Sequence, residues 1–319
     1  MEYRRLGNSD LKLSAIGFGC WAMGGSWGET EDKESIAAAR RALDLGINFF
    51  DTADIYGFGH SEKVLAEALG SRRKDVIIAT KVGLAWDEHG CMFLSSTRHH
   101  IMSAVEASLR RLKTDYIDLY QVHWPDYHTY FEVTMMAMDD LVTSGKVRYV
   151  GVSNFTVKQM KECMKIRPII SLQPPYNLLM RDIEKDLLPF CLKNGIGVVA
   201  YGPLAYGLLT GKFAKDTKFP KNDWRSGELF PDPGGWQPHI DLFHGKQFRR
   251  NLKIVEKLEK IASRYGKTVG QLSVAWVLSN PAITSAIVGA KRPSQLEENV
   301  GGAGWKFSKE DLLAIDKIA

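Results

Sequence analysis

Asp51, Tyr56, Lys81 and His123 have the residue types of a proton-donating site. A phenol can give up a proton, but its free pKa is near 10, too high for efficient acid catalysis at neutral pH. A neighbouring ammonium favours the phenolate and lowers that value. Lys81 has the charge to do this, and Asp51 has the charge to fix Lys81 and keep it protonated. His123, in Gln121-Val-His-Trp-Pro-Asp126, has a ring that can hydrogen-bond a substrate oxygen and hold it in place. Each residue alone has a plainer use. Asp51 could form a turn or cap a helix, and His123 could be a packed histidine beside Trp124 and Pro125. Lys81 could also act as a Schiff-base nucleophile, although a lysine held by a carboxylate stays charged and unreactive.

Such a set works only if separate elements bring it together. Short apolar runs recur at residues 15–19, 47–51, 76–79, 116–120, 147–151, 169–172, 196–200 and 285–288. They are rich in Val, Ile, Phe and Tyr and mostly lack strict alternation, as strands buried on both faces do. Helical patterns lie between them. Ile36, Ala39 and Leu43 share a face, as do Ile101, Val105, Leu109 and Leu112, and later Leu252, Val255, Leu258 and Ile261. Thr268-Val-Gly-Gln271 matches a capping box, and Ser308 begins a last helix. Residues 3–6 and 11–14 flank a Gly7-Asn8-Ser9-Asp10 turn and read as a hairpin.

Strands alternating with helices at intervals of roughly 30 residues point to a (β/α)₈ barrel. The expected organisation is a single barrel domain over residues 1–319. A doubly wound sheet is the alternative, but Gly17-Phe-Gly19 and Gly24-Gly25 do not make the GxGxxG fingerprint after the first strand. Barrel active sites lie at the carboxyl ends of the strands. Asp51 ends the second strand, Lys81 lies just past the third and His123 follows the fourth. Ser153 and Asn154 follow the fifth, Gln173 the sixth and Tyr201 the seventh. So many polar groups on one rim are hard to explain as packing. The irregular stretch 213–245 holds Pro220, Pro231, Pro233, Gly234, Gly235 and Pro238 with Trp224 and Trp236, and reads as a functional loop or lid.

Composition narrows the classes. The chain of 319 residues is 45% hydrophobic and 25% charged, with a formal net charge of +5. The basic residues are scattered in short groups, so nucleic-acid binding is not expected. Cys20, Cys91, Cys163 and Cys191 lack CxxC spacing, so neither a zinc site nor a disulfide framework is expected. The start, MEYRRLGNSDLKLS, has no apolar leader core, and no membrane-length apolar run occurs. A soluble, cytoplasmic protein is expected, as a monomer or weak homo-oligomer.

Six motifs then carry a family resemblance: DTADIYGFGHSE (51–62), ATKVG (79–83), HWPD (123–126), GVSNF (151–155), YGPLAYGLLTGK (201–212) and VGAKRPSQLEEN (288–299). In this order they resemble the aldo-keto reductases, in the branch of bacterial NADPH-dependent enzymes and potassium-channel β-subunit-like proteins. The short hairpin and the late extra helices match that family too. The resemblance implies Tyr56 as proton donor, Lys81 and Asp51 as the pair that tunes it, and His123 as the residue orienting the carbonyl. It implies Ser153, Asn154 and Gln173 around a nicotinamide carboxamide and Tyr201 stacked on the ring. Gly202, Pro203, Leu204 and Lys212 would surround the pyrophosphate. Gly289, Lys291, Gln295, Glu298 and Asn299 would meet the adenosine end.

Lys291 and Arg292 beside the adenosine ribose favour a 2′-phosphate, hence NADP over NAD. Gln295 stands where many relatives carry Arg, and Arg225 is a candidate further phosphate contact. Trp21, Trp124 and Trp224, with Tyr56 and His123, are expected to wall the substrate pocket, and Trp21 also to face the cofactor. Cys20 stands where many relatives carry Thr, a change that would loosen a nicotinamide contact. The expected activity is NADP(H)-dependent reduction of aldehydes or ketones to alcohols. The expected partners are small carbonyl or alcohol molecules. The alternative is a non-catalytic or slow nucleotide-binding subunit of the channel β type. His123 speaks against it, because that branch tends to carry Asn there. So does a chain that starts almost at the barrel and leaves no extension for a channel.

Overall fold

A computed structural model describes residues 1–228 and 239–319. Its centre is a closed barrel of eight parallel strands. They are β3 (Ile16–Gly19), β4 (Phe49–Asp51), β5 (Ile77–Val82), β8 (Ile117–Val122), β9 (Val147–Ser153), β10 (Ser171–Gln173), β11 (Gly197–Tyr201) and β12 (Ile283–Gly289). They pair in this order around the barrel, and β12 closes back on β3. The barrel expected from the apolar runs is therefore present.

Two small antiparallel hairpins sit outside the ring. The first, β1 (Tyr3–Arg5) with β2 (Lys12–Ser14), is the expected one. The second, β6 (Leu84–Trp86) with β7 (Met92–Leu94), follows β5 directly and has no counterpart among the expected strands.

Helices wrap the ring between strands: α1 (Asp32–Asp44), α2 (His60–Leu69), α3 (Arg98–Leu112), α4 (Phe131–Thr143), α5 (Val157–Met164) and α6 (Leu187–Asn194). Between β11 and β12 come α7 (Gly245–Ser263) and α8 (Val269–Ser279), and after β12 come α9 (Pro293–Val300) and α10 (Lys309–Ile318). Thr268 and Gln271 make the reciprocal capping box read from the sequence, and the Ser308 hydroxyl accepts from the Asp311 amide.

The core has two parts. The larger fills the layer between strands and helices. The smaller lies inside the barrel, where Phe49, Ala79, Leu119, Val199 and Ile287 meet Leu6, Leu11 and Leu13 around the first hairpin. That hairpin therefore stoppers one end of the barrel. Strand period explains what the other end holds. On β5, Ala79 joins the inner core and Lys81, two residues on, shares its side. Thr80 points the other way and donates to Glu62 of α2 at 2.6 Å.

Candidate active site

β4 ends at Asp51, and the loop to α2 carries Tyr56. This loop is pressed onto residue 24: a β-carbon on Gly24 would lie 2.5 Å from the Tyr56 carbonyl carbon, so only glycine lets the Tyr56 backbone come this close. Ser61 fastens the loop from behind. Its hydroxyl meets that of Thr52 at 2.9 Å and donates to the Cys20 carbonyl at 2.9 Å. Glu62 accepts from Arg111 of α3 as well as from Thr80, at 2.6 Å each.

Lys81 is 0% exposed, so its ammonium must find partners inside the protein. Nζ donates to Asp51 Oδ1 at 2.7 Å, to the Thr52 carbonyl at 2.8 Å and to the Tyr56 hydroxyl at 3.4 Å. The other Asp51 oxygen accepts from Gln173 Nε2 at 2.7 Å. His123 follows β8 and is buried, its ring 5.9 Å from that of Tyr56 and edge-on to it. All four residues singled out by type come together. Lys81 lies inside β5 rather than just past the third strand.

Around the Tyr56 hydroxyl the fold's own surroundings act against the lowering of its pKa that a lysine neighbour brings. Burial, then the charge of Asp51, hold it well above 10. Tyr56 is therefore a fully protonated donor. His123 moves the opposite way: burial, then the Lys81 charge, keep its ring neutral to well below the ordinary 6.5.

A cavity of about 1660 Å³ runs from Tyr56 and His123 to Lys291 and Arg292. Its floor includes Ser153, Asn154, Gln173 and Tyr201. These side chains are already ordered among themselves. Ser153 donates to the Gln173 carbonyl at 2.8 Å, and Asn154 Nδ2 donates to the Ser153 hydroxyl at 3.0 Å and the His123 carbonyl at 3.1 Å. The Tyr201 hydroxyl donates to Asn154 Oδ1 at 3.0 Å. Past Gly202, Pro203 and Leu204 the chain passes through Ala205, Tyr206 and Gly207, all at positive φ. Two such non-glycine residues in succession are strained, and strain of this kind collects at ligand clamps.

The far end is charged, with Lys212, Arg225, Lys291 and Arg292 set among Glu29, Glu31, Glu34 and Glu298. Lys291 Nζ donates to the Trp27 and Glu29 carbonyls, and burial with the Arg225 and Arg292 charges lowers its pKa against the pull of Asp223 and Glu29. Arg225 is held by Asp223, with Nη2 to Oδ2 at 2.6 Å, and its guanidinium lies over the Trp27 and Phe219 rings. Lys212 pairs with Glu298 at 2.8 Å. Gln295 Oε1 accepts from the Lys291 amide at 2.8 Å, and Asn299 Nδ2 donates to the Gly289 carbonyl at 3.4 Å. Loop residues 26–28 and 222–224 bridge over this end: the Trp224 amide donates to the Ser26 carbonyl at 3.0 Å and the Gly28 amide to the Asn222 carbonyl at 3.1 Å.

Trp21, Trp124 and Trp224 line the cavity, with Trp21 stacked between Tyr56 and Trp224. Cys20 does not line it; its buried thiol faces the Phe18 carbonyl at 4.0 Å. Of the stretch 213–245, residues 229–238, including Pro231, Pro233, Gly234, Gly235, Trp236 and Pro238, lie outside the described residues. Glu62, Arg111, Trp27 and the second hairpin were not singled out from the sequence. Glu62 at the end of DTADIYGFGHSE was the available signal; Trp27, in a short polar loop, offered none. No group of metal-ligating side chains occurs among the described residues, and no described helix is long and apolar enough to cross a membrane.

The fold and the sequence match known proteins. The family model described as "Aldo/keto reductase family" matches residues 15–319. The aldo-keto reductase YhdN of Bacillus subtilis is 41% identical, over 100% of this chain and 93% of its own. A probable voltage-gated potassium channel subunit beta of Arabidopsis thaliana is 34% identical, over 94% and 90%. The solved structure of the glycerol dehydrogenase AKR11B4 from Gluconobacter oxydans superposes with a TM-score of 0.88 at 40% identity, over 99% of this chain and 94% of that one. The chain belongs to the aldo/keto reductase family of oxidoreductases.

Proposed function

We propose that the protein is an NADP(H)-dependent reductase of aldehydes and ketones, with Tyr56 as general acid. The observation that carries this reading is the Tyr56 hydroxyl, held protonated 3.4 Å from Lys81 Nζ beside a neutral His123 on the wall of one large cavity. At about 1660 Å³ that cavity exceeds the usual range for a drug-sized ligand and has room for a dinucleotide and a substrate. When bound, the nicotinamide supplies a hydride to the carbonyl carbon.

The chain's residues do the rest. A neutral imidazole at His123 can donate one N–H to the carbonyl oxygen and fix its position. As negative charge grows on that oxygen it becomes a far stronger base than a phenolate, and Tyr56 gives up its proton. Lys81 then faces a phenolate, whose charge it stabilises, while Asp51 holds the lysine in place. Ser153, Asn154 and Gln173 are the side chains for the carboxamide, and Tyr201 is the ring for stacking. Gln173 also holds Asp51, so the carboxamide cradle and the proton donor share one hydrogen-bonded frame.

Gly202, Pro203, Leu204 and Lys212 would receive the pyrophosphate, and Gly289, Gln295, Glu298 and Asn299 the adenosine. The preference for NADP rests on Lys291 and Arg292 close together with Arg225 nearby, cations that a 2′-phosphate can pair with. Arg225 is engaged by Asp223 and acts there through the field of the cluster.

The test is Tyr56→Phe. Turnover of NADPH with 4-nitrobenzaldehyde should fall by about a thousandfold, with NADPH affinity little changed; unchanged turnover ends the assignment. A wild-type protein limited to a slow single hydride transfer would favour the second reading, a nucleotide-binding subunit like the plant channel β proteins it resembles.

A further inference from the structure

The cavity wall is divided by charge. Apart from Asp51, its charged lining residues among those described come from residues 29–34, from Lys212 and Arg225, and from residues 291–298. The lining contributed by residues 55–58, 84–94 and 123–127 carries no formal charge once His123 is neutral. That uncharged part is built largely on the second hairpin, β6–β7, which rises directly from the strand that carries Lys81. Phe58, two residues beyond Tyr56, packs on Trp86 of this hairpin with ring centroids 5.5 Å apart. The loop that presents the proton donor is thereby joined to the hairpin wall.

Four large side chains of this wall remain open to solvent. Phe58 is 49% exposed, Met92 41%, Phe93 51% and Tyr127 76%, and all four line the cavity. An exposed apolar patch that continues into a cavity marks a surface that something apolar covers. No described residue covers it, and the proton donor lies at its inner edge.

We infer that the preferred substrates are uncharged carbonyl compounds with an extended apolar substituent, an alkyl chain of several carbons or an aryl group. The substituent lies along Phe58, Met92, Phe93 and Tyr127 while the carbonyl reaches Tyr56 and His123. This deepens the reductase reading and rests on it. It sets the chain apart from a relative named for glycerol, a small polyol that could not cover such a wall. A carbonyl compound bearing a carboxylate finds no cation on this side.

The test uses the full chain with saturating NADPH and a series of linear aldehydes from propanal to decanal. Each methylene that gains cover should raise kcat/KM by about threefold, until the chain passes the rim and the series levels off. Glyceraldehyde and succinic semialdehyde should stay near or below propanal. Phe93→Ser, an exposed change on the hairpin, should reduce the octanal-to-propanal ratio of kcat/KM at least fivefold. A flat series, or a ratio untouched by Phe93→Ser and by Met92→Ser alike, overturns the proposal.

A binding arm separates this failure from that of the reductase reading. With saturating NADP, unreactive alkyl amides from butanamide to decanamide are titrated by tryptophan fluorescence. Affinity should rise with chain length by the same factor, and Phe93→Ser should flatten the rise. No turnover with any aldehyde alongside a steep amide series overturns the reductase reading and leaves the apolar wall standing. Turnover alongside a flat amide series does the reverse.

Discussion

The two ends of the cavity are built on opposite plans. At the proton end Asp51, Lys81, His123, Ser153 and Gln173 come from strands or the first residues after them and are buried, Tyr56 stands on the loop after β4, and the groups are tied to one another: Lys81 to Asp51 and Tyr56, Asp51 to Gln173, Asn154 to Ser153 and to the His123 carbonyl. At the other end the groups ride on loops and on the start of α9, and their partners are replaceable. Lys212 is 58% exposed and paired with one carboxylate, while Lys291 leans on two backbone carbonyls. The difference follows from what each end must do. Proton and hydride transfer demand a fixed geometry before the substrate arrives. Holding a phosphate requires contacts that can be exchanged for it and restored when it leaves.

Four substitutions or titrations test this contrast, in falling order of effect. Lys81→Met should be the most damaging to the fold, because it strands the Asp51 carboxylate in the barrel. Removing one partner of a buried pair costs about 3–5 kcal/mol, read from urea unfolding. Asp51→Asn added to it should recover most of the loss. A cost near zero would show that the proton end is not the closed set described.

At the other end, Lys291→Met should leave unfolding almost unchanged but raise KM for NADPH by about tenfold to a hundredfold, with little effect on NADH. Equal changes for the two cofactors would remove the 2′-phosphate from the reading.

The pH response of the proton end comes next. Unfolded, His123 takes a proton near pH 6.5. Folded, burial and the Lys81 charge keep it neutral well below that value. The unfolded state binds the extra proton, so stability is lost as pH falls through 6.5. Between pH 7.5 and 5.5 this contributes about 1 kcal/mol of loss, and His123→Asn should show correspondingly less. An identical pH dependence in the variant would mean that His123 is charged in the fold.

The smallest effect is expected for Lys212→Ala. Its exposed pair with Glu298 should be worth less than about 0.5 kcal/mol to stability, while KM for NADPH rises a fewfold. A stability loss comparable to that of Lys81→Met would erase the distinction between the two ends.

The barrel was legible because its strands are apolar on both faces, and the four reacting residues because their types fit one chemistry. Strand ends were less legible for a physical reason. β5 runs on through Thr80 and Lys81 and β8 through Gln121 to Val122, yet the polar residues at these positions look like the end of an apolar run. On β5 they are polar because Lys81 faces the site and Thr80 a buried carboxylate. The second hairpin escaped notice because its three-residue strands flank a charged turn at Asp87-Glu88-His89-Gly90. Arg111 looks like any solvated helix residue until the fold brings it to Glu62, 49 positions away. The direction of the Tyr56 shift needed coordinates, since a lysine neighbour would lower a phenol's pKa while burial of the phenol and the Asp51 charge raise it.

The first hairpin has a kinetic consequence. With Leu6, Leu11 and Leu13 wedged against Phe49, Ala79 and Leu119, one end of the barrel is corked. Nothing can pass along the barrel axis from that end, so whatever meets Ser153, Asn154 and Gln173 enters and leaves on the side of the strands' carboxyl ends. Traffic through the site is thus confined to one face of the barrel by a stopper at the opposite face.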